Sequence, residues 1–383
     1  MIPSRTRESA PARRGAALAG ALAAMTIVAL LVSASMFAAT YELRAARGAL
    51  HIRRLRAIAE SALAAEMQEW PRSRNRAGPF APGSLLSRRV AMAASDSGVG
   101  ADSAIVRIAR SSLNTFWLSA SAGQSGSEQR VSRLIHLSLA GGVPDAAITT
   151  DGVLTLGAPS SATGVEAQDP NLVAWPECRL AVDDRPAVAG ARVTPTAAVI
   201  EGGGSLAGEP RLVRDSIGGA ARALLSALNA AVREPDAVPS VLGALTPGPV
   251  YRNNECVVGD PRSELNWGEP LRGANAVEAC ANRTVVVVAR GPLVLLGGRG
   301  QGVLLSEGDI ELGGDFAWYG IIATRGRITG GAGGARVHGA LIAQGSVDLT
   351  GVAATWSRCA VETAARAMAV PRAIAARGWM PGY

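Results

Sequence analysis

The feature that most constrains this chain is a long run without a charge, "GAALAGALAAMTIVALLVSASMFAATY", at positions 15–41. The hydrocarbon core of a bilayer requires about 20 apolar residues in a helix. The hydrophobic region of a secretory signal is shorter, about 7–15 residues. The length therefore favours a retained membrane-spanning helix. Small residues around Val32, Ser33 and Ala34 leave removal as an ordinary signal peptide open.

The helical pattern continues past this run. Apolar residues recur at spacings of three to five, as expected for one face of a helix; they are Leu43, Ala46, Leu50, Leu55, Ile58, Ala62 and Met67. Pro71 ends the pattern, because proline cannot continue a helix. A continuous helix over residues 15–70 would be about 80 Å long at 1.5 Å per residue. A simple anchor does not need that length, whereas a helix that packs beside its neighbours in a filament does.

The segment "RRGAALAGALAAMTIVALLVSASMFAATYELRAARGALHIRRLRAIAESALAAEM" resembles the N-terminal segment of PilX-type minor pilins of type IV pilus systems. Type II secretion pseudopilins begin similarly. In such proteins a short basic leader ends in glycine, and a prepilin peptidase cuts after it. The resemblance implies a leader over residues 1–15 and a cut between Gly15 and Ala16.

The same resemblance implies a role. Major pilins carry a glutamate at the fifth mature position, where this chain has Gly20. That difference implies a subunit that initiates or caps a filament, not a repeating subunit. Small residues at Gly20, Ala23 and Ala24 would let neighbouring helices approach closely in lipid. The implied partners are other pilins or pseudopilins, membrane lipid and the prepilin peptidase. An uncleaved single-pass anchor remains the alternative.

The net charge of +7 comes with no lysine, so every basic residue except histidine is an arginine. The arginines are scattered and are not interleaved with aromatic residues, which make up only 4% of the chain. A nucleic-acid partner is therefore not expected.

The cysteines indicate an oxidising compartment. They are Cys178, Cys256, Cys280 and Cys359, they form no CxxC, and no histidine lies near them, so no metal site is expected. Cys256 with Cys280 is the preferred disulfide, which leaves Cys178 with Cys359. Buried free thiols are the alternative, and sequence alone cannot choose among three pairings. Arginines flank both ends of the apolar run, so the distribution of positive charge does not decide the orientation of the helix in the inner membrane. The cysteines instead indicate that the C-terminal part lies in the periplasm or outside the cell.

Residues 71–140 are interpreted as a linker followed by a small antiparallel sheet of about three strands. Val106 and Ile108 flank Arg107, and Ile135, Leu137 and Leu139 alternate with polar residues. Such alternation predicts strands with one buried face. The sheet is expected to lie on the exposed half of the long helix.

The strongest signal in the body is an internal repeat marked by glycines at nearly constant intervals. A first glycine recurs at Gly302, Gly320 and Gly339. A second recurs at Gly308, Gly326 and Gly345, and Gly291 and Gly152 fit the same template. A period of this kind with short strands predicts stacked coils, as in a β-helix or β-roll. When the repeats are aligned on these glycines, Glu307 takes the same position as Arg325, and Asp309 the same position as Arg327. The alignment therefore predicts that each pair is in contact.

The unit around Gly152 lies far from the others in sequence. Residues 141–157 are therefore interpreted as a first coil, residues 158–283 as an insertion containing a helix over 216–234, and residues 284–359 as the main coil repeats. Residues 360–383 are expected to form a C-terminal helix and tail. The fold class is α+β, mostly β: a long N-terminal helix, a small antiparallel sheet, and stacked coils with a helix-containing insertion.

No enzyme is expected. The coil carboxylates include Glu307 and Asp309, each with an arginine in the aligned position of the next coil, which indicates ion pairing and not a glycosidase pair. "GGRGQG" lacks the Gly-Lys-Ser/Thr ending of a phosphate-binding loop. No catalytic, cofactor-binding or metal residues are assigned. The functional expectation is a minor pilin-like subunit; the alternative is an anchor that displays a β-helical binding or adhesion module for an unknown surface ligand.

Overall fold

The computed structural model describes residues 13–76, 80–91, 103–124, 126–138, 143–166, 187–216, 221–222, 225–226, 238–239, 243–253, 255–257, 264–270, 278–281, 283–374 and 380–381. Residues 1–12 of the expected leader, Cys178 and most of the expected 216–234 helix lie outside these ranges.

The long N-terminal helix is confirmed. Helix α1 spans Arg13–Gln68, 56 residues, or about 84 Å at 1.5 Å per residue. It is followed by a short 3-10 helix, Arg72–Asn75. Later in the described part of the chain come α2 (Glu278–Ala281), α3 (Arg358–Met368) and helical residues at 221–222 and 225–226, within the expected 216–234 helix. Ser357 begins α3 as its N-cap, because its hydroxyl accepts a hydrogen bond from the Ala360 amide at 3.3 Å.

An antiparallel sheet packs on the last turns of α1, and we call this unit the head. Its strands are β1 (Leu85–Ala91), β2 (Ser103–Arg110), β3 (Thr115–Gln124) and β4 (Ser127–Ser138), joined by two strands from the end of the chain, β24 (Val370–Ala373) and β25 (Met380–Pro381). The order is β1-β2-β3-β4-β24, and β25 also pairs with β4. Strand β2 buries every second residue, Ala104, Val106, Ile108 and Arg110, against the helix.

The antiparallel sheet on the helix is thus confirmed, but its extent was underestimated. The expected C-terminal tail is wrong: after α3 the chain forms β24, and Val370 pairs directly with Ser138 at the end of β4. The segment carries no alternating apolar pattern, since Pro371 and Arg372 stand in it, so only the pairing with β4 defines it as a strand.

The rest of the β structure is a three-sided parallel coil stack. Its earlier strands are β5 (Ala146–Thr150), β6 (Leu154–Gly157), β7 (Ser161–Thr163), β8 (Ala189–Val193), β9 (Val199–Gly202), β10 (Ser205–Ala207), β11 (Leu212–Arg214) and β12 (Ala244–Leu245). A small hairpin, β13 (Tyr251–Arg252) and β14 (Glu255–Cys256), stands apart. The later strands are β15 (Val285–Ala289), β16 (Leu293–Leu295), β17 (Arg299–Ser306), β18 (Ile310–Gly314), β19 (Ala317–Thr324), β20 (Ile328–Gly333), β21 (Ala335–Ala343), β22 (Val347–Leu349) and β23 (Val352–Thr355).

The coils do not stack in the order of the sequence. On one side the strand order is β12-β16-β18-β20-β22-β6-β9, so β6, the earliest of these strands, lies between β22 and β9. Strand β5 likewise pairs with β21 on one edge and β8 on the other. The first coil in sequence therefore lies in the middle of the stack. The next coils are added on one side of it, as far as β11. The chain then continues at the opposite end with β12, and the later coils stack from there back to the first coil.

The interpretation of residues 158–283 as an insertion is accordingly wrong. Strands β7 to β12 fall in that range and lie in the stack, with parallel pairs such as β8 with β5 and β9 with β6. The glycine spacing does not reveal the repeat in this range, because these strands are only two to five residues long and the corners between them differ in length. Inward apolar positions still continue the core, through Ala191, Val193 and Leu206.

Helix α3 lies on the outside of the stack. Val361, Ala364 and Ala365 pack against outward residues of the side that contains Val303, Ile321 and Ala340. Ala221 and Leu225, two described residues of the expected 216–234 helix, belong to the same buried cluster.

Candidate filament helix and displayed coil domain

The first two-thirds of α1 stand clear of the rest of the molecule. Residues 17–50 are exposed without exception, and no part of the most apolar window of this helix is buried by the protein. The helix is long and apolar enough to cross a membrane. A core helix of a globular protein would be buried, so the exposure favours lipid or other helices as its surroundings.

The serine and threonine hydroxyl groups inside the apolar run are satisfied by the helix itself. Thr26 and Ser33 donate to the carbonyl oxygens of Leu22 and Ala29, at 3.1 and 2.8 Å. Ser35 and Thr40 do the same to carbonyls three residues earlier. A polar group left unpaired in hydrocarbon costs several kcal/mol, on the order of a lost hydrogen bond. The run therefore suits a lipid environment despite its four serine and threonine side chains.

Gly15 and Ala16 lie in the first turns of α1, and Gly20, Ala23 and Ala24 follow on its exposed surface. A Cβ added at Gly20 would meet nothing within 4 Å. Gly20 and Ala24 are four residues apart and so share one face, where small side chains permit close approach of another helix.

Between the apolar run and the head, α1 carries large apolar side chains that nothing covers. Leu43 is 51% exposed, Leu50 64% and Ile52 47%. Head contacts begin only at Leu55, which is 2% exposed. Leu50 and the buried Ala59 are nine residues apart, two and a half helical turns, so Leu50 points away from the head.

The head is held on the helix by two buried charged groups. Arg110, 1% exposed, donates to the carbonyl oxygens of Asn75, Arg76 and Phe80 at 2.9, 2.6 and 2.7 Å. Its guanidinium also lies 5.0 Å from the ring centroid of Phe116. Glu66, 1% exposed, is ion-paired with Arg74 and lies 3.7 Å from Arg88. Sequence reasoning missed both residues, although Arg110 occupies an inward position of the β2 alternation.

Asn75 joins the head to the coil stack. Its side-chain nitrogen donates to the carbonyl oxygens of Arg366 and Ala369 at 2.7 and 3.0 Å, which caps the C-terminal end of α3. Its side-chain oxygen accepts from the Trp70 indole at 2.8 Å. Asn75 is fully buried, so the end of α1 and the end of α3 are fixed to each other through one amide. Nothing in the local sequence around Asn75 predicts this contact.

The repeat glycines form two columns in the stack. Gly302, Gly320 and Gly339 have positive φ, and each lies against the backbone of the coil before it. The second column runs Gly291, Gly308, Gly326, Gly345 and Gly152, in that spatial order. At Gly345 an added Cβ would lie 2.7 Å from the Gly326 carbonyl oxygen, and at Gly152 it would lie 2.9 Å from the Gly345 carbonyl oxygen. Only glycine allows the coils to approach this closely.

The Cys256 and Cys280 sulfurs are bonded, with the two Cα atoms 5.2 Å apart. This disulfide ties the β13–β14 hairpin to α2 at one end of the stack. Gln301, fully buried, donates to the carbonyl oxygens of Ala281 and Arg283 at 2.7 Å each. Cys359, in α3, is also disulfide-bonded, while Cys178 lies outside the described residues.

At the opposite end, arginines cover the last coil. Arg214 donates to the Ala197 carbonyl oxygen at 2.8 Å, and Arg211 donates to the Leu206 carbonyl oxygen at 2.9 Å and is ion-paired with Glu201. Such polar end caps are what a solenoid needs to keep its terminal strands from pairing with another molecule.

One of the two expected charge pairs is present. Arg327 binds the Asp309 carboxylate through its amide at 2.9 Å and its Nε at 3.0 Å, and these hydrogen bonds hold the pKa of Asp309 below its usual value. The pairing expected for Glu307 differs: Glu307 contacts Arg290 of the preceding coil, at 2.6 Å. The Glu307 side chain points toward the preceding coil and not the following one. An alignment of the repeats shows which positions are neighbours but does not show in which direction a side chain points.

Two other carboxyl groups have raised pKa values because burial disfavours their charged form. One is Glu166, where hydrogen bonds from the Arg358 amide and from Ser357 partly offset the effect of burial by lowering the pKa. The other is Asp151, where the charge of Arg222 lowers the pKa in the same way. Within the described residues, no three His, Cys, Asp or Glu side chains converge in a way that could hold a metal ion.

These observations define a protein with a lipid-compatible helix, a small head and a displayed β-helix. No known family model matches the chain, and no curated protein matches its sequence. Among solved structures it is similar to the competence-associated pilin ComZ from Thermus thermophilus, with 10% identity over 84% of this chain and 95% of that chain, at a TM-score of 0.22.

Proposed function

We propose that this protein is a minor pilin-like subunit of a type IV pilus or a related secretion pseudopilus, and that it helps to initiate or cap the filament. Residues 15–41 hold it in the inner membrane, with the head and coil stack on the periplasmic side. Its partners are other pilins or pseudopilins through α1, and the prepilin peptidase at Gly15. The role is one of assembly and display, without catalysis.

The observation that carries this proposal is the uncovered apolar surface of α1 above the membrane. Leu43 and Leu50, both more than half exposed, belong to the turns between the apolar run and the head. Burying one such side chain is worth about 1.5–3 kcal/mol. A permanent anchor gains nothing from leaving them in water, whereas neighbouring pilin helices would cover them in a filament.

The position of the head supports the same arrangement. The buried face of α1, with Leu55, Ala59 and Ala62, contacts the sheet, and Leu50 points to the other side. One face of the helix is therefore committed to the head, and the opposite face stays available along the whole length for other subunits. Within the membrane, small residues let other helices approach α1 closely; they are Gly20, Ala23 and Ala24.

The first test is the N-terminal residue of the mature protein, by mass spectrometry of the membrane fraction. A start at Ala16 supports processing by a pilin-type peptidase, and Gly15→Val should abolish it. A start at Met1 would contradict the proposal and favour the anchor. A start beyond about Ala34 would indicate an ordinary secreted protein and would contradict both.

The second test addresses packing. Leu50→Cys should give cross-links between subunits in isolated filaments. Arg89→Cys, on the outer surface of the head, is the matched control and should not cross-link through α1. Equal cross-linking at both positions would count against helix packing.

The alternative is an uncleaved anchor that displays the coil stack as a binding or adhesion module. The stack itself favours it, because arginines cover its last coil and the Cys256–Cys280 disulfide closes its other end, so the stack needs no further strands from another subunit. Deletion of the gene separates the two: loss of filaments supports the pilin-like role, and normal filaments with lost adhesion support the anchor.

A further inference from the structure

The turns of α1 just beyond the apolar run contain arginines that the protein does not neutralise. Arg44 and Arg47 are exposed and three residues apart, so they are neighbours on the helix surface. Glu42 lies two and five residues away from them, and such spacings do not face each other on a helix. In the part of the chain that the structure describes, neither arginine has a carboxylate partner, whereas Arg56 pairs with Glu60 at 2.9 Å.

The position of these arginines along the helix corresponds to the membrane surface. The run of residues 15–41 is centred on Val28, and a hydrocarbon core of about 30 Å covers roughly ten residues on each side of that centre. The headgroup layer then extends to about residue 43. Arg44 lies at its outer edge and Arg47 about 4.5 Å further, within reach of long side chains that bend back toward the interface.

We propose that Arg44 and Arg47 form a binding surface for anionic phospholipid headgroups in the leaflet on the same side as the head. Two lines of evidence support this partner: the opposite charges, and the direct continuity of the arginines with the lipid-exposed surface of α1. A guanidinium can bind a phosphate through two parallel hydrogen bonds, which an ordinary point charge cannot.

The proposal also explains an unfavourable feature of the sequence. Arginines close to a membrane helix are normally kept on the cytoplasmic side, yet here they follow the helix toward the head. Anionic headgroups would compensate that arrangement and fix the depth of α1 before the subunit leaves the membrane. The inference rests on the membrane insertion that is part of the proposed function, and not on leader cleavage or filament assembly.

The test measures which lipids surround the reconstituted protein. Full-length protein is placed in phosphatidylcholine vesicles with its head outward, and spin-labelled phosphatidylglycerol or phosphatidylcholine is added from outside, so that only the head-side leaflet is labelled. We expect a larger motionally restricted fraction for phosphatidylglycerol. The preference should be up to about fivefold for each arginine near the surface and should fall with salt.

Arg44→Gln with Arg47→Gln should bring the preference close to one. The control changes the net charge equally at exposed arginines far from the headgroups, Arg53→Gln with Arg107→Gln, and should keep it. An unchanged preference in the first variant, or an equal loss in the control, overturns the proposal. No restricted lipid of either kind would show that α1 is not inserted, and would overturn this inference together with the proposed function. A normal preference, together with a protein that begins at Met1 when it is isolated from cell membranes, would contradict the filament role alone.

Discussion

The hydroxyl of Thr150 donates a hydrogen bond to the carbonyl oxygen of Gly345, 195 residues further along the chain. The first coil to enter the stack and the last coil to be added therefore lie side by side. Strands β5 and β21, and β6 and β22, continue the same contact. The stack closes in its middle, and the coil containing Gly345 can join it only after the coils that precede it in sequence have been made.

Gly345→Ala should destabilise the coil stack by about 1–3 kcal/mol, because an added Cβ would lie 2.7 Å from the Gly326 carbonyl oxygen and the coils would have to separate. Gly291→Ala is the matched control at the open end of the same column, where a Cβ would meet nothing within 4 Å. Its effect should be neutral or stabilising by about 0.4–1 kcal/mol. Urea unfolding of the detergent-purified protein measures both. Equal destabilisation would argue against close packing as the reason for these glycines.

Arg110→Met should destabilise the head by about 3–5 kcal/mol, because several buried carbonyl oxygens lose their donor at once. Arg107→Met, on the exposed face of the same strand, is the control and should change stability by less than about 0.5 kcal/mol. The measurement is the unfolding midpoint of the head, followed by the fluorescence of Trp70 and Trp117. A small effect of Arg110→Met would mean that solvent reaches those carbonyls.

Asn75→Leu should loosen the connection between head and stack while leaving each unit folded. The variant removes both donors that cap the end of α3 and the acceptor of the Trp70 indole, at a cost of about 1–3 kcal/mol. Hydrogen exchange should accelerate at the Ala369 end of α3 and not at Leu304 or Ile322, deep in the stack. Uniform acceleration throughout the molecule would contradict a local role.

Asp309 and Glu166 should give opposite pH dependences. Hydrogen bonds from Arg327 lower the pKa of Asp309, so its contribution to stability is present above the unfolded pKa, about 3.9, and is lost as pH falls through the lower folded pKa. Burial raises the pKa of Glu166, so its contribution is present below about 4.3 and is lost as pH rises through the higher folded pKa.

Accordingly, Asp309→Asn should remove stability mainly at neutral pH. Glu166→Gln, a neutral isostere of the protonated acid, should change stability little at acid pH and should add stability at neutral pH, where burial opposes the charged form. Asp309 is nearly half exposed, so its contribution should stay within about 0–1 kcal/mol. Unfolding free energies of the two variants and the parent between pH 3 and about 7 provide the comparison. Parallel curves for all three proteins would contradict the assignment.

The long helix and the later coils could be predicted because each repeats a local pattern. The span of α1 follows from an uninterrupted apolar run, and the later coils follow from glycines that recur at nearly constant intervals. The reordered stack could not be predicted, since short strands such as Leu206 with its two neighbours carry no period of their own. Pairing between strands as distant in sequence as β5 and β21 is decided by the geometry of the finished coils, not by local sequence.

The exposed apolar surface of α1 was predictable for the same reason. The buried contacts that fix the head and the coil stack beside the helix were not. Leu43 and Leu50 belong to the apolar series that sequence reasoning assigns to one helix face with Leu55, although at 3.6 residues per turn they lie on the opposite side. Only the location of the head shows that burial begins at Leu55. Asn75 and Arg110 act on carbonyl oxygens from distant parts of the chain, and no sequence signal specifies the partner of a backbone acceptor.

Ser138 and Val370 are direct partners in the head, so the entire coil stack leaves from and returns to two neighbouring strands. A tight turn between those two residues would suffice to close the head without the stack. We therefore expect that the coil stack can be enlarged, replaced or removed while the head still folds on α1.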